Sequence, residues 1–241
     1  MNSHFDSIAL EFNDLWLFSD HYRNWMVTEI ASRLDFDKKD VLVDMGGGTG
    51  LFSKLLIENT PLSNIVCVEP SRDMYLEATK IKNICTIYED CETYLQSNGV
   101  FSKILFKEVV HHINDRRGAW INVYSLLPHG GKLLIVTRPK NTTLPLFQKA
   151  LEKFSQNQPS EEKLIAEFDT TGFQLSIETK SFDFVIAKKS WISMLRQRFM
   201  SDLQNFSDDE IESGIQEVLG KYCEDDIYAK DTLVFILATK L

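Results

Sequence analysis

The sequence has no apolar run long enough to cross a membrane, few cysteines, and fewer basic than acidic residues. It carries 26 Lys and Arg against 35 Asp and Glu, a net charge of −9. This charge argues against a nucleic-acid partner, because phosphates require a basic surface. The four cysteines have no C-x-x-C spacing, which indicates reduced thiols. Residues 1–7 lack the basic and apolar regions of a secretory signal. We therefore expect a cytoplasmic protein with neither a nucleic-acid nor a membrane partner.

A glycine-rich turn follows the first predicted strand. Residues 41–43 are apolar and suit a strand that is buried on both faces, and Asp44 ends that strand. Four of the next six residues are glycine, and apolar residues then recur at helical spacing from Leu51. Glycine tolerates positive φ and lets a ligand approach the backbone. A turn of this kind between a strand and a helix is typical of nucleotide binding.

The spacing of the glycines excludes two common nucleotide motifs. A dinucleotide fingerprint that starts at Gly46 would need Gly or Ala at position 51, which is Leu51. No Gly-Lys-Ser/Thr follows, so the turn is not a P-loop. Glu69 ends the second predicted strand, residues 65–68, and a carboxylate there can accept two hydrogen bonds from a ribose diol. The alternative is that Glu69 caps the following helix.

Strands and helices alternate through residue 137, which predicts a parallel sheet with right-handed crossovers. We expect a single domain, because no linker or internal repeat is visible. Within it, residues 4–36 form two aromatic cap helices near the glycine turn, residues 37–185 and 230–241 form the core, and residues 186–229 form a helical insertion between the last two strands.

The acid and glycines of the turn, Asp-x-Gly-x-Gly-x-Gly, resemble motif I of the class I S-adenosylmethionine-dependent methyltransferases. Residues 101–113, which end in Val-His-His-Ile, resemble a stretch of many small-molecule methyltransferases. The resemblance covers residues 36–140 well. It implies an α/β fold with a Rossmann-like, doubly wound, seven-stranded sheet in the order 3-2-1-4-5-7-6, with strand seven antiparallel. It also implies S-adenosyl-L-methionine as cofactor and S-adenosyl-L-homocysteine as product.

The resemblance assigns roles to individual residues. Glu69 would bind the ribose, Asp90 would accept a hydrogen bond from the adenine amino group, and Cys91 would pack on the adenine ring. Asp90 can also cap the following helix, and both roles can coexist. The residues expected to bind the cofactor are Asp44, Gly46, Gly47, Gly48, Glu69, Asp90, Cys91, Lys107 and Tyr22.

The reaction implied is methyl transfer to an oxygen or nitrogen atom of a small-molecule acceptor. His111 and His112 are the candidate catalytic bases, since an ordinary histidine pKa of about 6.5 suits proton transfer at neutral pH. Glu108 precedes His112 by four residues and would share a face with it on a helical turn. A similar acid–histidine pairing in phosphoethanolamine methyltransferases includes a tyrosine, which Tyr22 could match. The alternative is that both histidines only pack the loop.

Metal is not expected, because His111 stands where metal-dependent relatives carry a second acid. Arg138 follows the fifth strand and can bind a substrate carboxylate or form an ion pair. Trp191 and Arg198 belong to the insertion, which we expect to close over the acceptor as a lid. The insertion can instead be plain core or a dimer contact, and either a monomer or a homodimer is compatible with the sequence.

Two other classes of function stay open at this stage. One is a methyltransferase that acts on a protein or tRNA. The other is a non-catalytic subunit that retains the cofactor-binding fold, although the intact glycine turn and Glu69 argue against it.

Overall fold

The computed structural model describes residues 19–96 and 99–241, and these form a seven-stranded sheet with helices on both faces. The strand order is 3-2-1-4-5-7-6, as predicted. The first five strands are parallel, and the seventh is antiparallel to both of its neighbours. The strands are β1 (Val41–Met45), β2 (Asn64–Val68), β3 (Cys85–Ile87), β4 (Lys103–Lys107), β5 (Lys132–Thr137), β6 (Phe173–Ala187) and β7 (Asp226–Lys240).

The described helices follow the predicted alternation. The helix after β5 begins only at Gln148, because Pro145 disfavours a helical conformation at Leu144. The α-helices are α1 (Asp20–Leu34), α2 (Leu51–Asn59), α3 (Arg72–Ala78), α4 (Cys91–Tyr94), α5 (Arg116–Leu126), α6 (Gln148–Asn157), α7 (Glu161–Ala166), α8 (Lys188–Arg196) and α9 (Asp208–Lys221). Two 3₁₀ turns cover Val110–His112 and Ser201–Leu203.

The central strands are buried on both faces, as their continuous apolar sequences predict. Successive residues of a strand point to opposite faces, so each strand contributes to two separate cores. Leu42, Leu105 and Leu134 belong to one core, and Val43, Ile104 and Ile135 belong to the other. The four cysteines are free, in agreement with the expected reduced thiols.

Helix α1 is a core helix rather than a cap over the glycine turn. Met26, Ile30 and Leu34 are fully buried in the core on one face of the sheet. Lys132, at the start of β5, donates to the carbonyl of Arg33 near the C-terminus of the helix, 3.1 Å away. Only the N-terminal end of α1 therefore reaches the carboxyl ends of the strands. The first predicted cap helix falls mostly on residues 1–18 and lies outside the described residues.

Strands β6 and β7 project beyond the carboxyl end of β5. They pair along their whole length, from Phe173 opposite Lys240 to Ala187 opposite Asp226. Strand β5 pairs with β7 only from Val234 onwards. Residues 180–187 and 226–233 therefore form a two-stranded arm, which at the usual rise per residue extends about 25 Å past the sheet edge. The insertion that the arm carries spans residues 188–225, shorter than the predicted 186–229.

The helices of the insertion pack on α6 and share its core. Gly214 of α9 lies against the ring of Phe147, and a Cβ at that glycine would come within 2.4 Å of the ring. Trp191 and Leu195 of α8 are fully buried. These parts of the insertion therefore belong to the protein core, which was one of the alternatives that the sequence left open.

Candidate active site

The glycine turn is closely packed on both sides. Gly46, Gly48 and Gly50 have φ values of 66°, 59° and 75°, a region that other residues adopt at a cost. A Cβ at Gly46 would lie 2.5 Å from Cγ2 of Val109, and one at Gly47 would lie 2.5 Å from the sulfur of Cys67. The turn therefore requires glycine at these positions, and it brings β1, β2 and the segment after β4 together.

Asp44 holds the start of this turn to α2. Its carboxylate accepts a hydrogen bond of 2.6 Å from the hydroxyl of Ser53, and the residue is 3% exposed. Burial raises the pKa of Asp44, and the Ser53 hydrogen bond and the nearby Lys107 ammonium oppose that rise. Asp44 thus connects the end of β1 to α2 through its hydrogen bond with Ser53.

Glu69 lies at the carboxyl end of β2 and bonds directly to the glycine turn. Its Oε2 accepts from the backbone N–H of Gly48 and its Oε1 from that of Ser71, both at 2.8 Å. Ser71, rather than Glu69, is the N-cap of α3. These two bonds hold the Glu69 carboxylate against the turn at the carboxyl end of β2.

Asp90 is the N-cap of α4, which was one of its two predicted roles. Its Oδ1 accepts from the backbone N–H of Thr93 at 2.7 Å, and its Oδ2 accepts from the Thr93 hydroxyl at 3.1 Å. The carboxylate is exposed, whereas Cys91 is buried, which raises the pKa of its thiol. The structure therefore fixes the orientation of Asp90 through Thr93.

Lys107 lies at the end of β4, beside the glycine turn. Its ammonium is 4.4 Å from the centroid of the Phe52 ring, a cation–π contact. Burial lowers the pKa of Lys107, and the nearby carboxylates of Glu108, Asp231 and Asp44 act in the opposite direction. Within residues 19–96 and 99–241 the ammonium has no ion-pair partner, although Asp44 and Glu108 are close enough to influence it.

A buried ionic cluster lies beside the crevice, formed by Tyr22, Glu108, Arg138 and Asp231. Arg138 donates to both carboxylate oxygens of Asp231, from Nε at 2.8 Å and from Nη2 at 2.7 Å, and its Nη1 donates to Oε2 of Glu108. The hydroxyl of Tyr22 donates to Oδ2 of Asp231 at 2.8 Å. We name these four residues the Arg138 cluster.

The cluster corrects two predictions. Arg138 is 1% exposed and paired with two carboxylates, so it is not a substrate-carboxylate receptor in this state. Tyr22 is 3% exposed and bonds to Asp231, so its position does not support the predicted pairing with the histidines or cofactor. Sequence reasoning missed Asp231. The only signal was an acid two residues before the apolar run 233–238 of strand β7.

Glu108 has an unusual backbone and an unsatisfied side-chain oxygen. Its φ is 56°. Oε1 is buried with no hydrogen-bond partner among the described residues, which carries a desolvation cost of roughly 1–3 kcal/mol. The predicted contact with His112 is wrong, because Glu108 precedes a short 3₁₀ turn rather than lying on an α-helical turn, and its side chain turns to Arg138.

The two histidines lie against each other within that 3₁₀ turn, with ring centroids 4.1 Å apart and ring planes tilted by 48°. Burial lowers the pKa of His111 to about 4, with smaller contributions from Arg138 and Arg116. Its Nδ1 is buried with no partner within the described part of the chain. Burial and the His111 ring lower the pKa of His112 to about 4 as well, but His112 is exposed, and water screens the effect. Both rings are neutral at pH 7.

The insertion residues predicted to contact the acceptor have structural partners instead. Trp191 is fully buried, and its indole N–H donates to the carbonyl of Pro145 at 2.7 Å. Arg198 donates to the carboxylate of Asp208 at 2.6 Å and to the carbonyl of Phe206 at 3.1 Å. The structure therefore places Trp191 in the core and uses Arg198 to hold the loop before α9.

A model of the family described as "Methyltransferase domain" matches residues 20–187, more than half of the chain. The matched region takes in the glycine turn, Glu69 and the histidine segment. The chain belongs to the class I S-adenosylmethionine-dependent methyltransferases. It is therefore an enzyme of the transferase class with a Rossmann-like fold.

This methyltransferase resembles one curated relative and many solved structures. It is 30% identical over 126 residues to malonyl-[acyl-carrier protein] O-methyltransferase 2 of Ilyobacter polytropus. The alignment covers 48% of each chain, so the methyltransferase spans about half the length of that relative.

Two solved structures illustrate the likeness of fold. A protein of Anabaena variabilis, named as a methyltransferase from an antibiotic biosynthesis pathway, has a TM-score of 0.65 at 16% identity, covering 89% of this chain and 96% of the other. Geranyl diphosphate methyltransferase in complex with S-adenosylmethionine has a TM-score of 0.56 at 12% identity, covering 90% and 84%.

Two kinds of feature are missing from the described part of the chain. In residues 19–96 and 99–241, no three His, Cys, Asp or Glu side chains are grouped so as to hold a metal ion. No described helix combines the length and the apolar character needed to cross a membrane.

Proposed function

We propose that this methyltransferase transfers the methyl group of S-adenosyl-L-methionine to an oxygen or nitrogen atom of a small-molecule acceptor. The observation that carries the proposal is the bond between the Glu69 carboxylate and the backbone N–H of Gly48, at the carboxyl edge of the sheet. Open α/β sheets bind ligands at this edge, and an acid after the second strand suits a ribose diol.

The residues of the crevice fit this cofactor. Gly46 and Gly47 let the turn pack tightly against Val109 and Cys67, which holds its backbone at the carboxyl end of β1. Glu69 would hold the ribose, Lys107 would lie near the charged amino-acid end, and Asp44 would keep the turn in place. When bound, the cofactor supplies a methyl group on a positively charged sulfur. The protein then has little covalent work to do, and positioning and exclusion of water provide most of the acceleration.

The histidines remain the proposed bases, with His112 better placed than His111. A neutral imidazole can accept a proton, and the exposed ring of His112 is accessible to an acceptor, whereas Nδ1 of His111 is buried. The pKa of about 4 makes His111 a weak base at neutral pH, and the shift at the exposed His112 is in the same direction but is screened by water. Bases of this strength favour an acceptor that loses its proton easily or has none to lose.

The curated relative supports an oxygen acceptor. It is named for O-methylation of malonyl-[acyl-carrier protein]. An acyl group on a carrier protein is therefore the second candidate acceptor. A carboxylate oxygen is unprotonated at neutral pH and would need no base, which agrees with the low histidine pKa values. If the acceptor atom is a nitrogen that must lose a proton, replacing His112 should slow methyl transfer relative to wild type.

The proposal is tested by ligand binding and by transfer of label. Replacing Glu69 with Ala should weaken S-adenosyl-L-homocysteine binding at least tenfold by titration calorimetry, because two hydrogen bonds to a charged acceptor are removed. Glu212, an exposed partner of Arg196 outside the site, provides the control Glu212→Ala. Wild-type enzyme should also transfer tritium from labelled S-adenosyl-L-methionine to a metabolite pool or to malonyl-acyl carrier protein.

Two results would reject the proposal. Binding of NAD in preference to the methionine cofactor would exclude the assignment of the crevice. A folded Glu69→Ala protein with wild-type affinity would exclude the role given to Glu69.

A further inference from the structure

We propose that Glu108 is a ligand-binding carboxylate, whose Oε1 accepts a hydrogen bond from an N–H or O–H group of the bound ligand. We further propose that Arg138, Asp231 and Tyr22 are positioning residues that hold it in place. The inference rests on the proposed function, because it places this contact in the same crevice.

The side chain of Glu108 is held by one oxygen and unsatisfied at the other. Oε2 accepts from Arg138, whereas Oε1 is buried and has no partner among the residues that the structure describes. Buried carboxylate oxygens are normally bonded, and a lone exception calls for a missing donor. A purely structural counter-ion for Arg138 would not need the second oxygen to be kept away from water.

The backbone at Glu108 supports the same conclusion. Its φ of 56° lies in the left-handed region, which favours Gly and Asn over a residue with a long side chain. Strain of this kind persists where the surrounding structure requires it, often at ligand sites. The backbone N–H of Glu108 donates to the carbonyl of Val136 at 2.8 Å, so the residue is fixed at the carboxyl edge of the sheet.

The location of Glu108 is right for a ligand contact. It follows the last residue of β4, and β4 lies beside β1, with Phe106 opposite Met45. The next residue, Val109, touches the glycine turn at Gly46. Glu108 therefore lies next to the cofactor crevice, at the carboxyl end of β4 and beside the glycine turn.

The three positioning residues come from three different elements. Arg138 follows β5, Asp231 lies in the projecting arm, and Tyr22 lies in the first turn of α1. Asp231 is 0% exposed and grips Arg138 with both oxygens. This fork allows one orientation of the guanidinium, and the Tyr22 hydroxyl fixes the Asp231 carboxylate in turn. The orientation of Glu108 thus depends on the positions of both the arm and α1 relative to Arg138.

The donor can come from either of two ligands with the same chemistry. One is the α-ammonium of the cofactor, and the other is an amine or hydroxyl of the acceptor. S-adenosyl-L-homocysteine carries the ammonium, whereas 5′-methylthioadenosine has the same nucleoside without the amino-acid end. Comparing the affinities for the two compounds therefore distinguishes loss of a contact with the amino-acid end from general damage to the binding site.

The central experiment measures the affinity of Glu108→Gln for both compounds by calorimetry. Glutamine keeps an oxygen for Arg138 but offers a donor where Oε1 was an acceptor. Glu212→Gln, which changes an exposed ion pair with Arg196, is the matched control. If the cofactor supplies the donor, the variant should bind S-adenosyl-L-homocysteine at least tenfold more weakly and 5′-methylthioadenosine within about twofold of wild type.

If the acceptor supplies the donor, both affinities stay at the wild-type value, and tritium transfer to the metabolite pool falls at least tenfold. Wild-type affinity for both compounds together with transfer equal to that of wild type would overturn the inference. So would an equal loss of both affinities, since that indicates damage to the whole crevice. Absence of S-adenosyl-L-homocysteine binding by wild-type protein would instead reject the proposed function itself.

The positioning role is tested with Tyr22→Phe, which removes only the hydroxyl that holds Asp231. Whichever of the two falls in Glu108→Gln, the affinity for S-adenosyl-L-homocysteine or the rate of tritium transfer, should also fall in Tyr22→Phe, by roughly threefold. The affinity for 5′-methylthioadenosine should stay unchanged. Asp231→Asn is the second variant and should have a larger effect. A lower melting temperature with no selective change in either variant would show that these residues serve stability alone.

Discussion

At the scale of single residues, the crevice contains several charged or polar groups whose partners are not those that the sequence predicts. Glu108 bonds to Arg138 instead of His112, and Arg138 bonds to Asp231. Each of these groups was correctly placed at the carboxyl edge from its position after a predicted strand. Its partner was not predictable, because the partner lies on an element far away in the chain.

His111 gives the clearest prediction at this scale. Its pKa is about 4 in the folded protein and about 6.5 in an unfolded chain. Between these pH values the unfolded state binds more protons, so stability rises with pH and is lost as pH falls from 6.5 towards 4. Replacing His111 with Phe should remove this dependence and raise the free energy of unfolding at pH 5 relative to pH 7 by up to about 2 kcal/mol.

Urea unfolding at pH 5 and pH 7 measures this difference. His129→Phe is the control, because His129 is exposed in the turn before β5. An unchanged pH dependence in His111→Phe would contradict the buried, neutral state of His111. A fall in methyl transfer without any change in stability would favour the catalytic role over the packing one.

At the scale of elements, α9 is fixed by a glycine that has no unusual backbone angle. Gly214 faces the ring of Phe147, which is 2% exposed and makes an edge contact with Phe206 at 5.3 Å. A new Cβ would approach the Phe147 ring to 2.4 Å, and a buried ring cannot move aside easily. The glycine therefore sets how closely α9 can approach the segment that leads into α6.

Gly214→Ala should lower the free energy of unfolding by about 1–2 kcal/mol, because overpacking outweighs the gain of up to ~1 kcal/mol in helix propensity. Gly220→Ala in the same helix is the matched control, since a Cβ at position 220 would have no neighbouring atom within 4 Å. It should be neutral or slightly stabilising in the same urea titration. Equal stability of the two variants would mean that α9 is not seated on Phe147.

The Trp191 result belongs to this scale as well. Trp191 was predicted to belong to a lid that closes over the acceptor. Trp191 and Phe199 instead contact each other at 5.2 Å and are fully buried. An apolar helical face serves equally well for a pocket wall or a core, and only the position of α6 decides between them.

At the scale of the whole molecule, the projecting arm joins the insertion to the catalytic edge. Asp231 in the arm is tied to Arg138 after β5 and to Tyr22 in α1. Ligand binding at the crevice is therefore expected to stabilise the arm, because a ligand that binds the folded site suppresses its local opening.

Hydrogen exchange measures this effect. Amides of residues 226–233 should exchange at least threefold more slowly with saturating S-adenosyl-L-homocysteine, while those of β1, already buried, serve as the internal reference. The Asp231→Asn variant should lose most of the added protection. Equal exchange rates of the arm amides with and without ligand would show that ligand binding does not stabilise the arm.

The sequence by itself determined which segments form strands and where the crevice lies. Apolar runs fix which segments are buried strands, and the alternation of strand and helix predicts a parallel sheet with right-handed crossovers. The strand order 3-2-1-4-5-7-6 was implied by the family resemblance and is confirmed by the structure. The glycine turn, Glu69 and the N-cap at Asp90 were also predictable, because their chemistry depends on near neighbours in the chain.

Only the tertiary structure decided the contacts between distant segments. Asp231 lies 93 positions from Arg138 and 209 from Tyr22, and no local pattern relates residues at such separations. The same holds for Trp191 and the carbonyl of Pro145, 46 positions apart. A buried arginine is costly unless carboxylates pair with it, and only the fold decides which carboxylates lie close enough to do so.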